Sequence, residues 1–119
     1  MVELAFCLPI FLILTFGAIE ASNAITLKQV LTEVAYETAR MATTQGETEA
    51  DARLRADEIL TVRNINNATI DISPSVTATT PSGTPITVTI SAPASSNSIG
   101  PQWYYKNASM VSTVVMVRL

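Results

Sequence analysis

An uncharged apolar run near the start of the sequence constrains the whole chain. No residue from Leu4 to Ile19 carries a charge, and one acid stands on either side, Glu3 before the run and Glu20 after it. The run is slightly shorter than the roughly 20 apolar residues that usually cross a bilayer, but it falls within the usual spread once its ends reach the interface. We therefore predict a membrane-inserted helix that continues into a polar domain outside the membrane.

A cleavable secretory signal peptide is the alternative interpretation of this run. The segment 17–22 (GAIEAS) loosely matches a cleavage region. A signal peptide begins with basic residues, however, and here no Lys or Arg precedes the apolar run while Glu3 occupies that place. The amphipathic sequence that follows without a break also favours a retained helix.

One continuous helix is predicted from about residue 2 to about residue 43. No Gly or Pro lies between Gly17 and Gly46, and we expect Gly46 to be the C-terminal cap. Pro9 should loosen or kink the apolar half, and Gly17 is a second soft point or a place where another helix approaches. The second half has an apolar stripe at three- and four-residue spacings: Leu27, Leu31, Val34, Ala35, Tyr36, Ala39 and Ala42.

The remaining residues predict a second helix and three strands. Thr48 to Asp51 form a capping box, and the helix that follows should end near Val62 and bury Ala52, Leu54, Ala56, Ile59 and Leu60. Alternating apolar residues then predict strands over 68–73, 86–92 and 110–119. In the last strand Val111, Val115, Val117 and Leu119 share a face. We expect an α+β fold in which a small three-stranded antiparallel sheet packs on the long helix, with residues 1–43 as the long helix and 44–119 as the head domain.

Composition excludes several classes of function. The 119 residues carry a net charge of −3 with no basic cluster, so nucleic-acid binding is not expected. There is no histidine, and the only cysteine, Cys7, lies in the apolar run. These features predict neither an enzyme nor a metal or cofactor site. Glu47, Glu49 and Asp51 lack the glycine-spaced loop of a calcium site, and we interpret them as acids at a helix start.

The opening of the chain resembles TadE-like proteins, which belong to the tight-adherence (Tad) type IV pilus system. The resemblance lies in the segments 2–6 (VELAF), 8–9 (LP) and 16–20 (FGAIE), and more weakly in a TVTI strand and in the final strand, 112–118. It implies a type IV pilin-like fold. By the same resemblance Glu3 corresponds to the acid near the mature N-terminus of pilins, although only two residues precede it here where pilins usually keep four.

The resemblance also implies a structural subunit that resides in the inner membrane and polymerises into an extracellular pilus used in attachment. Its partners would be copies of itself or other pilins, a prepilin peptidase and the assembly machinery. In such a subunit Glu3 pairs with the α-amino group of a neighbour, whereas otherwise it simply lies among the headgroups. The alternative function is a single-span, membrane-anchored periplasmic binding module that does not polymerise.

Candidate site residues follow from these patterns. Assembly and register are assigned to Glu3, Pro9, Gly17 and Glu20. Helix packing is assigned to the large apolar residues Leu4, Phe6, Leu8, Ile10, Phe11, Leu12 and Phe16. The trio Trp103, Tyr104 and Tyr105 is either a contact patch or a small satellite core. Asn67 and Asn107 match glycosylation sequons, although in a head rich in Ser, Thr and Asn such matches more often arise by coincidence.

Overall fold

The fold is a long helix on which a shorter helix and a small sheet are packed. A computed structural model of the chain describes residues 1–100 and 102–119. These residues extend over 73 × 22 × 18 Å, so the molecule is more than three times as long as it is wide. The elements, in chain order, are α1 (Val2–Thr43), α2 (Glu49–Val62), β1 (Thr69–Ser73), β2 (Pro85–Pro93), a 3₁₀ turn (Ala94–Ser96) and β3 (Ser109–Val117).

Helix α1 runs without interruption through Pro9 and ends where the sequence predicted, but its cap differs from the prediction. The cap is Thr44 in an extended conformation, and Gly46 lies two residues further on with φ 85°. The last four carbonyls of α1, those of residues 40 to 43, all accept hydrogen bonds from nearby groups. In order along the helix, the donors are the hydroxyls of Thr43 and Thr44, the N–H of Thr44, the guanidinium of Arg118 and the N–H of Leu119. A glycine cap is therefore not needed.

The core lies between the second half of α1 and the head. The predicted stripe is buried from Leu27 to Ala42, with one error: Tyr36 is half exposed. Thr38 is fully buried on the stripe, because its hydroxyl donates to the carbonyl of Val34 at 2.7 Å and so leaves no unpaired polar group.

Helix α2 begins with the predicted capping box. The side chain of Thr48 accepts from the N–H of Asp51, and the carboxylate of Asp51 accepts from the N–H of Thr48 at 2.8 Å. Ala52, Ala56 and Leu60 face α1, and Ile59 packs at the edge of the core. The prediction that Leu54 is buried was wrong, since it lies on the solvent face with 62% of its surface exposed.

The sheet is antiparallel with strand order β1-β2-β3. In the central strand Ile86, Val88, Ile90 and Ala92 all point into the core, as predicted. Val111, Val115 and Val117 share a face of β3 as predicted, but this face points away from the core to solvent, and Leu119 beyond the strand is exposed as well. Register explains the reversal, because the β3 residues paired with the buried β2 residues are Met110, Ser112, Val114 and Met116.

Candidate functional site

The first candidate surface is the whole circumference of α1 before Glu20. All of residues 1–19 are exposed, and the helix is long and apolar enough to cross a membrane by length and composition. A contiguous apolar surface of this extent is not stable in water and indicates a lipid or protein environment. The predicted packing residues all lie on it: Leu4, Phe6, Leu8, Ile10, Phe11, Leu12 and Phe16.

Glu3 lies at the free end of this surface. Its carboxylate is exposed, and in the single chain Oε2 lies 3.3 Å from the amino nitrogen of Met1. A carboxylate in hydrocarbon is costly unless it is paired. Pairing of this carboxylate with the amino group of a neighbouring subunit stays a prediction.

Pro9 and Gly17 lie within the same surface. Pro9 has no N–H to donate to the carbonyl of Ala5, yet the helix is continuous on both sides of it. Among the described residues nothing lies within 4 Å of a Cβ built on Gly17, so the site is open to the close approach of another helix. Their roles in assembly stay predictions.

The second candidate site is the junction where the apolar segment meets the head. Glu20 continues the buried stripe towards the N-terminus, four residues before Ala24 and seven before Leu27, and only 5% of its surface is exposed. The backbone N–H groups of Trp103 and Tyr105 both donate to Oε1 of Glu20, the first at 2.9 Å. The carboxylate is thus satisfied by the long loop between β2 and β3.

A second polar residue of α1 holds the same loop. The side-chain amide of Asn23 donates to the carbonyl of Ile99 at 2.8 Å. Glu20 and Asn23 are three residues apart and therefore lie on one side of the helix, where each fixes a different part of the loop. Sequence patterns predict an assembly role for Glu20 and assign no role to Asn23. Two polar residues at stripe spacing, just where the stripe begins, are the signal that would have found this junction.

The aromatic trio is carried by this loop. Trp103 and Tyr104 are 75% and 85% exposed, whereas Tyr105 is partly buried and its ring meets that of Tyr104 edge to face, with centroids 5.0 Å apart. The rings of Trp103 and Tyr104 therefore lie on the surface of the single chain, and whether they contact a partner stays a prediction.

Glu49 and Asp51 contact other residues at the start of α2. In the described parts of the chain, no three His, Cys, Asp or Glu side chains are grouped as metal ligands would be. Glu49 pairs with Arg53 at 2.8 Å. Hydrogen bonds from the hydroxyl and the N–H of Thr48 lower the pKa of Asp51. These acids serve the start of α2.

The two sequons lie in exposed loops. The side-chain amide of Asn67 donates to the hydroxyl of Ser96 at 2.9 Å, which joins the turn after α2 to the 3₁₀ turn. Asn107 is exposed near the end of the long loop. Their glycosylation stays a prediction.

Comparison with known families gives a match over the N-terminal part of the chain, which carries the apolar surface and the α1 side of the junction. The family model of TadE-like proteins matches residues 1–40. The N-terminal segment is TadE-like. This confirms the resemblance read from the opening motif, over the apolar surface and over the α1 side of the junction. No curated protein and no solved structure matches the chain.

The match covers most of α1, the helix that is long and apolar enough to cross a membrane by length and composition. The match ends before α2 and the sheet, so the head is described by its own structure.

Proposed function

We propose that the protein is a pilin-like structural subunit of a Tad-type pilus. In this proposal it resides in the inner membrane, polymerises through the apolar half of α1 with copies of itself or with other pilins, and serves surface attachment from an extracellular filament. A prepilin peptidase and the pilus assembly machinery would act on it before and during export.

The observation that carries the proposal is the exposed apolar surface of residues 1–19. The other half of the same helix packs into the core of the head. Extraction from the membrane exchanges lipid contacts for helix–helix contacts. A helix that is apolar all round suits both environments, whereas a helix with a polar face would suit only one.

Glu3 has a specific part in this proposal. Within a filament its carboxylate would pair with the α-amino group of an adjacent subunit and so fix the axial offset between the two helices. The pairing also removes the cost of an isolated charge among apolar side chains. Pro9 and Gly17 would allow local loosening and close approach, respectively.

Substitution of Glu3 tests the proposal in cells that make the protein. Glu3→Ala should abolish or strongly reduce filaments while the amount of protein in the membrane fraction stays normal. Asp57→Ala is the matched control, because Asp57 is an exposed acid on α2 far from the apolar surface. Unchanged filaments and attachment in Glu3→Ala would instead favour a membrane-anchored binding module.

Peptidase maturation is tested separately by mass measurement of the intact chain from membranes and from surface material. The proposal predicts one processed N-terminus common to both fractions. An unprocessed chain in sheared surface material would contradict a peptidase-matured pilin.

A further inference from the structure

The loop held by Glu20 and Asn23 presents apolar rings and a branched aliphatic side chain to solvent. We define this aromatic loop as residues 98–100 and 102–106. Ile99 is 82% exposed, and Trp103 and Tyr104 are exposed to a similar degree. Three large apolar side chains on one exposed loop are not explained by the core of the head, because they contribute nothing to it.

The aromatic loop is fixed beside the end of the apolar segment. Glu20, which holds the backbone of Trp103, follows Ile19 directly in the chain. Gly100 lies so close to the helix that a Cβ built on it would be 3.9 Å from Cγ2 of Ile19. Phe16, Glu20, Gln102 and Trp103 together line an open hollow of about 350 Å³. The loop surface is therefore continuous with the membrane segment.

The length of the apolar segment determines which part of the head meets the bilayer. The 16 residues from Leu4 to Ile19 rise about 24 Å as a helix. A typical hydrocarbon core is about 30 Å thick. When Leu4 lies at the opposite boundary, the difference of about 6 Å corresponds to about four further residues, which brings the level of residues 20–23 to the lipid boundary on the head side. This is the level at which the aromatic loop is attached.

The chemistry of the loop matches that boundary. Trp and Tyr have an apolar ring with a polar tip, and they are enriched where hydrocarbon meets headgroups. Lys106 is the only charged residue of the loop, and a cation at this level is favoured by anionic lipids. The one acid at the junction, Glu20, is buried and accepts hydrogen bonds from the loop, so no bare carboxylate faces the lipid.

We propose that the aromatic loop is a membrane-interface contact. While α1 is in the bilayer, Ile99, Trp103 and Tyr104 enter the headgroup layer and hold the head at a fixed depth and tilt. The occupant of this surface is the lipid interface, and the loop is released to water or to a neighbouring subunit when the helix leaves the membrane. This inference rests on the membrane residence in the proposed function and not on polymerisation.

The composition of the chain allows a direct test, because Trp103 is its only tryptophan and Cys7 its only cysteine. The full chain is reconstituted into vesicles of phosphatidylcholine and phosphatidylglycerol. Quenching of Trp103 fluorescence is measured with aqueous iodide and with lipids brominated at shallow or deep acyl positions. Protection of Cys7 from a membrane-impermeant maleimide is measured on the same vesicles and reports insertion of the helix.

The matched control moves the tryptophan to the far side of the head. In the double variant Trp103→Phe/Leu54→Trp the probe lies on the exposed face of α2, and Leu54 is already 62% exposed, so the change is tolerated. We expect Trp103 in the native chain to show blue-shifted emission, strong quenching by shallow bromines and loss of most iodide quenching. The control should be quenched by iodide and not by bromine.

Three results would overturn the proposal, and they differ in what else they contradict. Protected Cys7 with a fully iodide-accessible Trp103 would refute the interface contact while leaving membrane residence intact. Freely reactive Cys7 would refute both. Iodide access in vesicles combined with protection in isolated filaments would assign the loop to a neighbouring subunit and would also refute the lipid contact.

Discussion

At the scale of single residues, Glu20 links two parts of the chain that are more than eighty positions apart. In the sequence this acid closes the apolar run, but local periodicity carries no information about a partner so distant. The same limit applies to Arg118, a buried base whose guanidinium reaches the carbonyls of Ala42, Glu47 and Thr77. Such contacts depend on the tertiary fold, and sequence patterns do not predict them.

The contact made by Glu20 gives the first prediction. Glu20→Ala in the detergent-solubilised full chain should speed hydrogen exchange of the Trp103 and Tyr105 amides by about tenfold or more, since both lose a charge-assisted acceptor. Exchange is read by mass spectrometry of peptides or by NMR. Glu58→Ala is the control, because Glu58 is an exposed acid that does not touch the loop. Equal exchange in the two variants would show that Glu20 does not hold the loop.

At the scale of elements, the sequence predicted the helices more completely than the sheet. The structure confirms the length of α1, the capping box of α2 and the buried row of β2. These features could be predicted because the sequence marks each with clear end signals or with apolar residues on one side only. In β3 both rows are apolar, so alternation alone does not say which row faces the core. Ser112 lies on the row of β3 that faces the core. A polar residue is tolerated there because its hydroxyl lies 2.9 Å from that of Thr32 on α1, within hydrogen-bonding distance.

A pair of leucine substitutions tests the assignment of buried faces. Leu31 is fully buried and Leu54 is largely exposed. Leu31→Ala should lower the free energy of unfolding of the head by about 2–5 kcal/mol, whereas Leu54→Ala should change it by less than about 0.5 kcal/mol. Urea unfolding followed by aromatic fluorescence of the full chain in detergent measures both. Similar losses in the two variants would contradict the orientation of α2.

The capping box of α2 gives a pH-dependent prediction. Hydrogen bonds from Thr48 lower the pKa of Asp51. The Asp51 carboxylate therefore contributes fully to the stability of the folded state above the ordinary aspartate pKa of about 3.9. This contribution is lost as the pH falls through the lowered pKa of the folded state. The amide resonances of Thr48 and Asp51 should report release of the cap in that acidic range. Asp51→Asn should lack this step. Release at neutral pH, or the same titration in the variant, would contradict the assignment.

At the scale of the whole molecule, the head is built so that the apolar segment is left uncovered. The second half of α1 contributes its stripe to the core, and the head ends at the junction with Glu20, while residues 1–19 project beyond it. A helix with these two halves can exchange lipid for protein around its first half without rearranging the second. This division of α1 is the physical basis of the proposed pilin role.

Identification of the subunit in surface filaments tests this role most directly. Surface material is sheared from cells that make the protein, imaged by negative stain, and analysed by mass spectrometry alongside the membrane fraction. The account predicts thin filaments in which this chain is present, with a second pool in the inner membrane. Filament-free sheared material, or filaments that lack the chain while it stays entirely in the membrane, would contradict a polymerising subunit.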